Sequence, residues 1–230
     1  QFGIDRPDGT LARFTAVCAP LIYRGDRLPS EVYGNMFVAE PAANLVSRII
    51  IEDDGRMLKA RKAYERGEFL ASTDERFRPV YISNAPDGTL YIVDMYRGVI
   101  QQRADITEYL RDHIINHKLE KPTALGRIYR VVHETTRRDT TTGANARLTT
   151  AQMVDLLSHP NGWWRMTAQR LLVERAKTDV VPALIQLAND QHVDSLGLNS
   201  PALHALWTLH GLGSLANNAQ AMQAARNALS

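Results

Sequence analysis

The sequence predicts a two-domain β + α fold, with strands over residues 1–133, a linker over 134–148 and helices over 149–230. Three observations lead there. Asp-Gly pairs at Asp8-Gly9, Asp54-Gly55 and Asp87-Gly88 sit between short β-prone runs, and each is a hairpin signal because Gly tolerates positive φ. Beyond Thr149 the apolar residues instead recur at helical spacing. Between the two lies a Thr- and Arg-rich stretch ending in Gly143 and Asn145, with no period and little to bury.

The elements follow in order. Strands are expected at 14–19, 35–40, 45–52, 57–64, 79–83 and 89–94, the last a nearly continuous apolar run of the kind covered on both faces. Pro7-Asp-Gly-Thr-Leu11 recurs as Pro86-Asp-Gly-Thr-Leu90, which suggests a repeated four-stranded unit. A helical insertion near 106–117 places Ile106, Tyr109, Leu110 and Ile114 on one face, and 126–132 reads as a further strand. Thr149 and Gln152 form a capping box ahead of Met153, Leu156 and Leu157. Trp164, Ala168, Leu171 and Leu172 supply the next stripe, Pro182 suits a helix first turn, and Ser200-Pro201 reads as an N-cap followed by a first-turn proline. A last helix is expected over 218–229, and the whole set suggests an α-solenoid. The strand spacing suits a sandwich or a propeller.

Composition excludes several classes. At 44% hydrophobic and 23% charged residues the chain is neither disordered nor collagen-like, and no apolar run is long enough for a membrane span. A net charge of +2 gives no footprint for nucleic acid. The single cysteine, Cys18, rules out an intrachain disulfide, a cysteine zinc site and haem attachment through CxxCH within this chain, and reads as a small buried hydrophobe. Walker A, GxSxG and GxGxxG motifs are absent.

In a propeller reading, three loops open on one face: Glu40 to Asn44, Asp74 to Arg78 and Asp94 to Arg97. The ligand-face candidates are therefore Glu40, Asn44, Arg76, Arg78, Asp94, Tyr96 and Arg97. The arginines offer charge to an anionic ligand, against the plainer reading that Arg78 and Arg97 pair with Asp94 or Asp74. Asp94 suits calcium or a base, though a strand-end Asp commonly satisfies backbone donors, and Glu40 divides the same way. His113 and His117 stand four apart on the expected helix, but Asp112-His113-Ile114 is not an HExxH start, so they read as surface histidines and no metal is expected. His204 and His210, six apart, share no face. Trp163 and Trp164 could stack on a sugar, but Trp164 at this spacing reads as filling a seam between helical repeats with Trp163 at its rim.

Several motifs together carry a family resemblance. Phe77-Arg-Pro-Val-Tyr-Ile82, Pro86-Asp-Gly-Thr-Leu-Tyr-Ile-Val-Asp-Met-Tyr-Arg-Gly-Val-Ile-Gln101, Ala19-Pro-Leu-Ile-Tyr-Arg-Gly25 and Gly34-Asn-Met-Phe-Val-Ala-Glu-Pro-Ala-Ala-Asn-Leu-Val46 are similar to glucose/sorbosone-dehydrogenase-like propellers. The nearest type is the "membrane-bound dehydrogenase" family of planctomycetes. Thr107-Glu-Tyr-Leu-Arg111 and Gly126-Arg-Ile-Tyr-Arg130 resemble the same family, and His159-Pro-Asn-Gly-Trp-Trp-Arg165 resembles its first HEAT-like repeat. The resemblance covers residues 14–190. It implies a partial β-propeller (its last blades) followed by HEAT-like repeats, in a fragment of a longer secreted or periplasmic protein, consistent with an opening at Gln1 and a first methionine at Met36. It also implies sugar or alcohol oxidation by the parent with pyrroloquinoline quinone and calcium. The implied partners are the missing blades, a carbohydrate and a cytochrome c domain, any haem lying outside this chain. Pro41-Ala42-Ala43-Asn44 lacks the cation that such a quinone site places there, so the alternative is a non-catalytic scaffold for a polysaccharide or protein, and the chain alone is expected to be inactive.

Overall fold

The computed structural model describes residues 13–136 and 148–228. The Asp8-Gly9 turn, the first copy of the five-residue repeat and most of the expected linker lie outside the described residues. Among those described, 13–23, 28–85 and 89–135 form one compact unit, and 24–27, 86–88, 136 and 148–228 form the other.

The first unit is antiparallel β. Strands β1 (Cys18–Ile22), β2 (Met36–Glu40), β3 (Leu45–Asp53) and β4 (Leu58–Lys62) pair in sequence order. Strand β5 (Leu70–Ala71) returns to pair with the start of β3. A second sheet orders β6 (Pro79–Asn84), β7 (Leu90–Asp94) and β8 (Arg127–Val131). Helix α1 (Glu108–Asn116) is inserted between β7 and β8, and the Thr107 hydroxyl caps it by accepting from Leu110 N. The predicted hairpins form at Asp54-Gly55 and Asp87-Gly88, and both glycines have φ of +78°. That is left-handed backbone, which a side chain resists. The first strand begins four residues later than the apolar pattern of 14–19 implies, because Thr15 N and Ala16 N bond to the Glu40 carboxylate instead of joining a ladder.

The two sheets share one core. Phe37, Ala39 and Val46 from the first sheet meet Ile82, Leu90 and Ile92 from the second, together with Tyr23 and Val32. Phe37 lies edge-on to Phe69 at 4.7 Å and to Tyr23 at 6.4 Å, arrangements that suit the ring quadrupoles. Along β7 burial alternates: Leu90, Ile92 and Asp94 are buried, Tyr91 and Val93 half-buried. The opposite face of the second sheet carries an apolar cross-strand row, Tyr81 beside Val93 beside Ile128. Tyr81 is 57% and Ile128 66% exposed. No sheet closes into a barrel among the described residues.

The second unit is helical: α2 (Thr150–Leu156), α3 (Gly162–Arg175), α4 (Val181–Ala188), α5 (Ser200–Gly211), α6 (Ser214–Asn217) and α7 (Ala219–Asn227). The Thr149–Gln152 capping box is complete, and Pro182 sits in the first turn of α4. Leu157, Leu172, Leu184, Leu209 and Met153 form a core with little or no exposure. Two expectations are corrected. Asn199, not Ser200, caps α5, since its Oδ1 accepts from Ala202 N. The last helical stretch is divided, with α6 preceding α7 and Asn218 capping the latter.

Asn161 shows how a cap can anchor a helix. Its side chain is 1% exposed, accepts from Trp163 N at the start of α3 and donates to the Pro86 carbonyl. Asn161→Ala should lower the stability of the helical unit by about 1 kcal/mol, since it removes a cap while Trp164 Nε1 still donates to the Pro86 carbonyl. Chemical denaturation followed by far-UV circular dichroism measures this. A midpoint equal to wild type would contradict the assigned cap.

Candidate functional site

The three predicted loops do meet, and their polar side chains bind one another. Arg78 is central. Its Nη1 donates to Pro41 O at 2.6 Å, Nη2 to Gly98 O at 3.1 Å and Nε to Arg97 O at 3.1 Å. The guanidinium is buried, and burial pulls its pKa below the ordinary value, partly offset by the charges of Glu75 and Asp94. Asp94, 1% exposed, accepts from Arg78 N at 2.8 Å and Tyr96 N at 2.7 Å through Oδ1. The expected Arg78–Asp94 side-chain pair is thus replaced by Arg78 on carbonyls and Asp94 on backbone N–H groups. Glu40, fully buried, accepts from Thr15 N, Ala16 N and Ala42 N. Asn44 Nδ2 donates to Phe77 O at 2.5 Å, from a left-handed backbone with φ of 56°.

Tyr96 also has positive φ, at 48°, and its hydroxyl donates to Asp74 Oδ2 at 2.8 Å. That bond raises the Tyr96 pKa. The Arg127 guanidinium stacks 3.7 Å from the centre of the same ring. Arg97 is exposed and joins the network through its carbonyl. Six of the seven predicted residues therefore have side-chain or stacking roles inside the unit. Pro41 and Ala42 offer Arg78 their carbonyls and no cation of their own. Of the cations on this face, Arg78 already binds the chain, Arg76 is tied to the carbonyls of Lys118 and Lys121, and the Arg97 side chain is exposed.

A second cluster lies beside this network. Glu75, in the loop before β6, bridges two imidazoles of α1: His113 Nε2 lies 2.5 Å from its Oε1 and His117 Nδ1 lies 2.6 Å from its Oε2. The two rings are 4.0 Å apart, and the three ligand atoms fall within 4.8 Å of one another. The hydrogen bonds from His117 and then His113 hold the Glu75 carboxyl below its usual pKa. The spacing of the histidines was visible in the sequence. Glu75, 38 residues before His113, was not, because only the fold brings it there.

The loop and the helix are locked by neighbouring groups. The turn at 74–77 closes through Phe77 N on Asp74 O, and Asp74 Oδ1 accepts from Arg76 N. Arg76 Nη2 then donates to Lys118 O and Lys121 O, just past the end of α1. Helix α1 ends with Leu119 N on Ile114 O and Lys118 at a φ of 53°, a left-handed stop that exposes those carbonyls. Gly98 lies so close to Leu119 that a Cβ would come within 2.5 Å of Leu119 O.

The strands, α1 and both clusters all fall within the residues matched by one family, the domain of unknown function DUF7133, over 4–135. The chain belongs to the DUF7133 family. No curated protein and no solved structure matches it.

Other predicted residues of this DUF7133 chain have plain roles. Cys18 is half-buried, with its Sγ 3.8 Å from the carbonyls of Ala39 and Pro79, and burial followed by the Glu40 charge raises its thiol pKa. Trp164 is buried, and its Nε1 donates to Pro86 O. Trp163 stands edge-on to it at 4.9 Å. His204 Nδ1 lies 2.7 Å from Gln169 Oε1, and burial, then the nearby Arg165 charge, depress its pKa from 6.5 to about 4.

Two predictions follow from these contacts. Arg78→Met should destabilise the β unit by about 3 kcal/mol or more by stranding buried carbonyls, whereas Arg97→Ala should change stability by less than about 0.5 kcal/mol. Urea denaturation followed by tyrosine fluorescence compares them, and equal effects would contradict the network. His204 is neutral in the folded helical unit, while the unfolded chain takes up a proton near pH 6.5. Its contribution to stability is thus fully present above pH 6.5 and is lost as the pH falls towards about 4. Thermal midpoints across that window should fall less steeply in His204→Gln, and parallel profiles would refute the assignment.

Proposed function

We propose that this chain is a non-catalytic scaffold: two neighbouring propeller blades followed by HEAT-like repeats, within a longer protein whose further blades cover the Tyr81–Val93–Ile128 row. The observation that carries this reading is the engagement of Arg78, Glu40 and Asp94 with backbone groups inside the unit. Through these bonds Arg78 and Glu40 are committed to the chain itself and are not available to bind a cofactor or move a proton; Asp94 is committed through Oδ1, and its Oδ2 is buried without a partner among the described residues.

Two further features support it. The two antiparallel sheets pack through a shared core, as adjacent blades do, and the second sheet then leaves an apolar row uncovered. Such a row is costly on a surface and natural beneath another sheet. The resemblance to glucose/sorbosone-dehydrogenase-like propellers supplies the occupant, a further blade of the same chain. It also supplies the competing reading, a quinone-dependent dehydrogenase.

Titration of the chain with pyrroloquinoline quinone and calcium, read by absorbance and by dye reduction over a sugar panel, separates the two. The scaffold reading expects neither stoichiometric binding nor reduction. Saturable quinone binding that is lost in Arg78→Met, with the fold intact by circular dichroism, would overturn it. A second arm tests the uncovered row. Tyr81→Lys with Ile128→Lys should cut the fluorescence of a bound hydrophobic dye several-fold, and an unchanged signal would remove the argument for a covering blade.

A further inference from the structure

We propose that Glu75, His113 and His117 form a binding site for one divalent transition-metal ion of the zinc class. The site is independent of the scaffold reading, which neither needs nor forbids it.

The donor set comes first. Two imidazole nitrogens and one carboxylate oxygen match borderline ions such as Zn²⁺, whereas Ca²⁺ and Mg²⁺ want a shell of oxygens. Tetrahedral zinc sets neighbouring ligand atoms about 3.3 Å apart. Here the nitrogens lie 2.5 and 2.6 Å from the carboxylate oxygens, and all three ligand atoms lie within 4.8 Å. An ion would replace the two hydrogen bonds, and the side chains would open from the 2.5 and 2.6 Å separations towards that spacing. His113 uses Nε2 and His117 uses Nδ1, so the two rings aim at one point although their Cα atoms are a helical turn apart.

The site is also braced. The backbone that carries Glu75 is fixed by the Asp74 turn and by Tyr96 on Asp74. Arg76 ties the same loop to Lys118 O and Lys121 O, directly after the second histidine. The three ligands therefore come from two segments whose separation is set by other bonds, which lowers the ordering cost of binding. Helix α1 points its C-terminal end at the cluster, where a positive ion is favoured.

The site is open. The side chains of His113, His117 and Glu75 are 33%, 49% and 39% exposed. Three protein ligands leave the fourth position of a tetrahedral ion to water or to an exogenous anionic or imidazole ligand.

The test titrates Zn²⁺ into the 230-residue chain by calorimetry, with Co²⁺ absorbance as a second readout. One equivalent should bind, with the visible Co²⁺ bands of a four-coordinate nitrogen–oxygen site. Glu75→Gln and His113→Gln should each weaken binding by about tenfold or more, and His192→Gln, at an exposed position in the helical unit, should leave it unchanged. A mutation-free measurement guards against misfolding: in imidazole NMR of the wild-type chain, Zn²⁺ should shift two of the seven histidines and spare the rest. The absence of saturable binding, binding that survives both ligand variants, or shifts at other histidines would each overturn the proposal.

Discussion

The Arg78 guanidinium is the interaction on which the β unit's loop face depends. A buried cation without partners would be prohibitive, so every donor direction must find an acceptor. Here the acceptors are carbonyls from two chain segments, at Pro41 and at Arg97-Gly98, while Arg78 N takes Asp94. Only a planar fork of donors can satisfy acceptors spread in this way; a lysine ammonium would reach fewer of them. The bridge joins the β2–β3 turn of one sheet to the segment after β7 of the other. The shared core thus has a polar clasp at the rim to match its apolar contacts at the centre.

This clasp determines where chemistry is available. Glu40, Asp94 and Arg78 look from the sequence like a ligand face because they converge on one end of the strands. Convergence has a second cause, however: loops that approach one another bury backbone groups that need partners. Burial distinguishes the causes. Glu40 and Asp94 are almost fully buried, whereas Glu75, three residues before Arg78 on the same loop, is only half-buried. The inward-facing residues of the loop stabilise it, and Glu75 is left with lone pairs that an outside partner can reach.

The strands were legible because alternation and Asp-Gly turns act locally. The run 89–94 alternates between buried and half-buried positions, and Gly88 sits at the turn before it. What the sequence concealed is what depends on distant partners. Strand β5 is only two residues long and exists because β3 overruns β4 and leaves Leu45 and Val46 to pair. Trp164 has the spacing of a buried residue and is one, but the partner of its indole N–H, the Pro86 carbonyl, comes from 78 residues earlier. The same holds for the site. His113 and His117 announce themselves by helical spacing, but Glu75 carries no motif, and the absence of HExxH led away from a metal.

The zinc site stands independently of the scaffold reading, and its physical consequence is for the helical insertion. In the metal-free form the loop at 74–78 and helix α1 are joined by Arg76 on two carbonyls and by one carboxylate shared between two imidazoles. A dication in the same place binds both nitrogens and the oxygen at once, and its free energy of binding adds to the stability of whichever state holds all three ligands in position. Only the folded β unit does so, because Glu75 and the histidines are far apart in the chain. An ion there would fasten the helical insertion to the sheet on its solvent side, as Gly98 against Leu119 fastens it on its buried side. The insertion would then carry one open coordination position on a segment held from both sides.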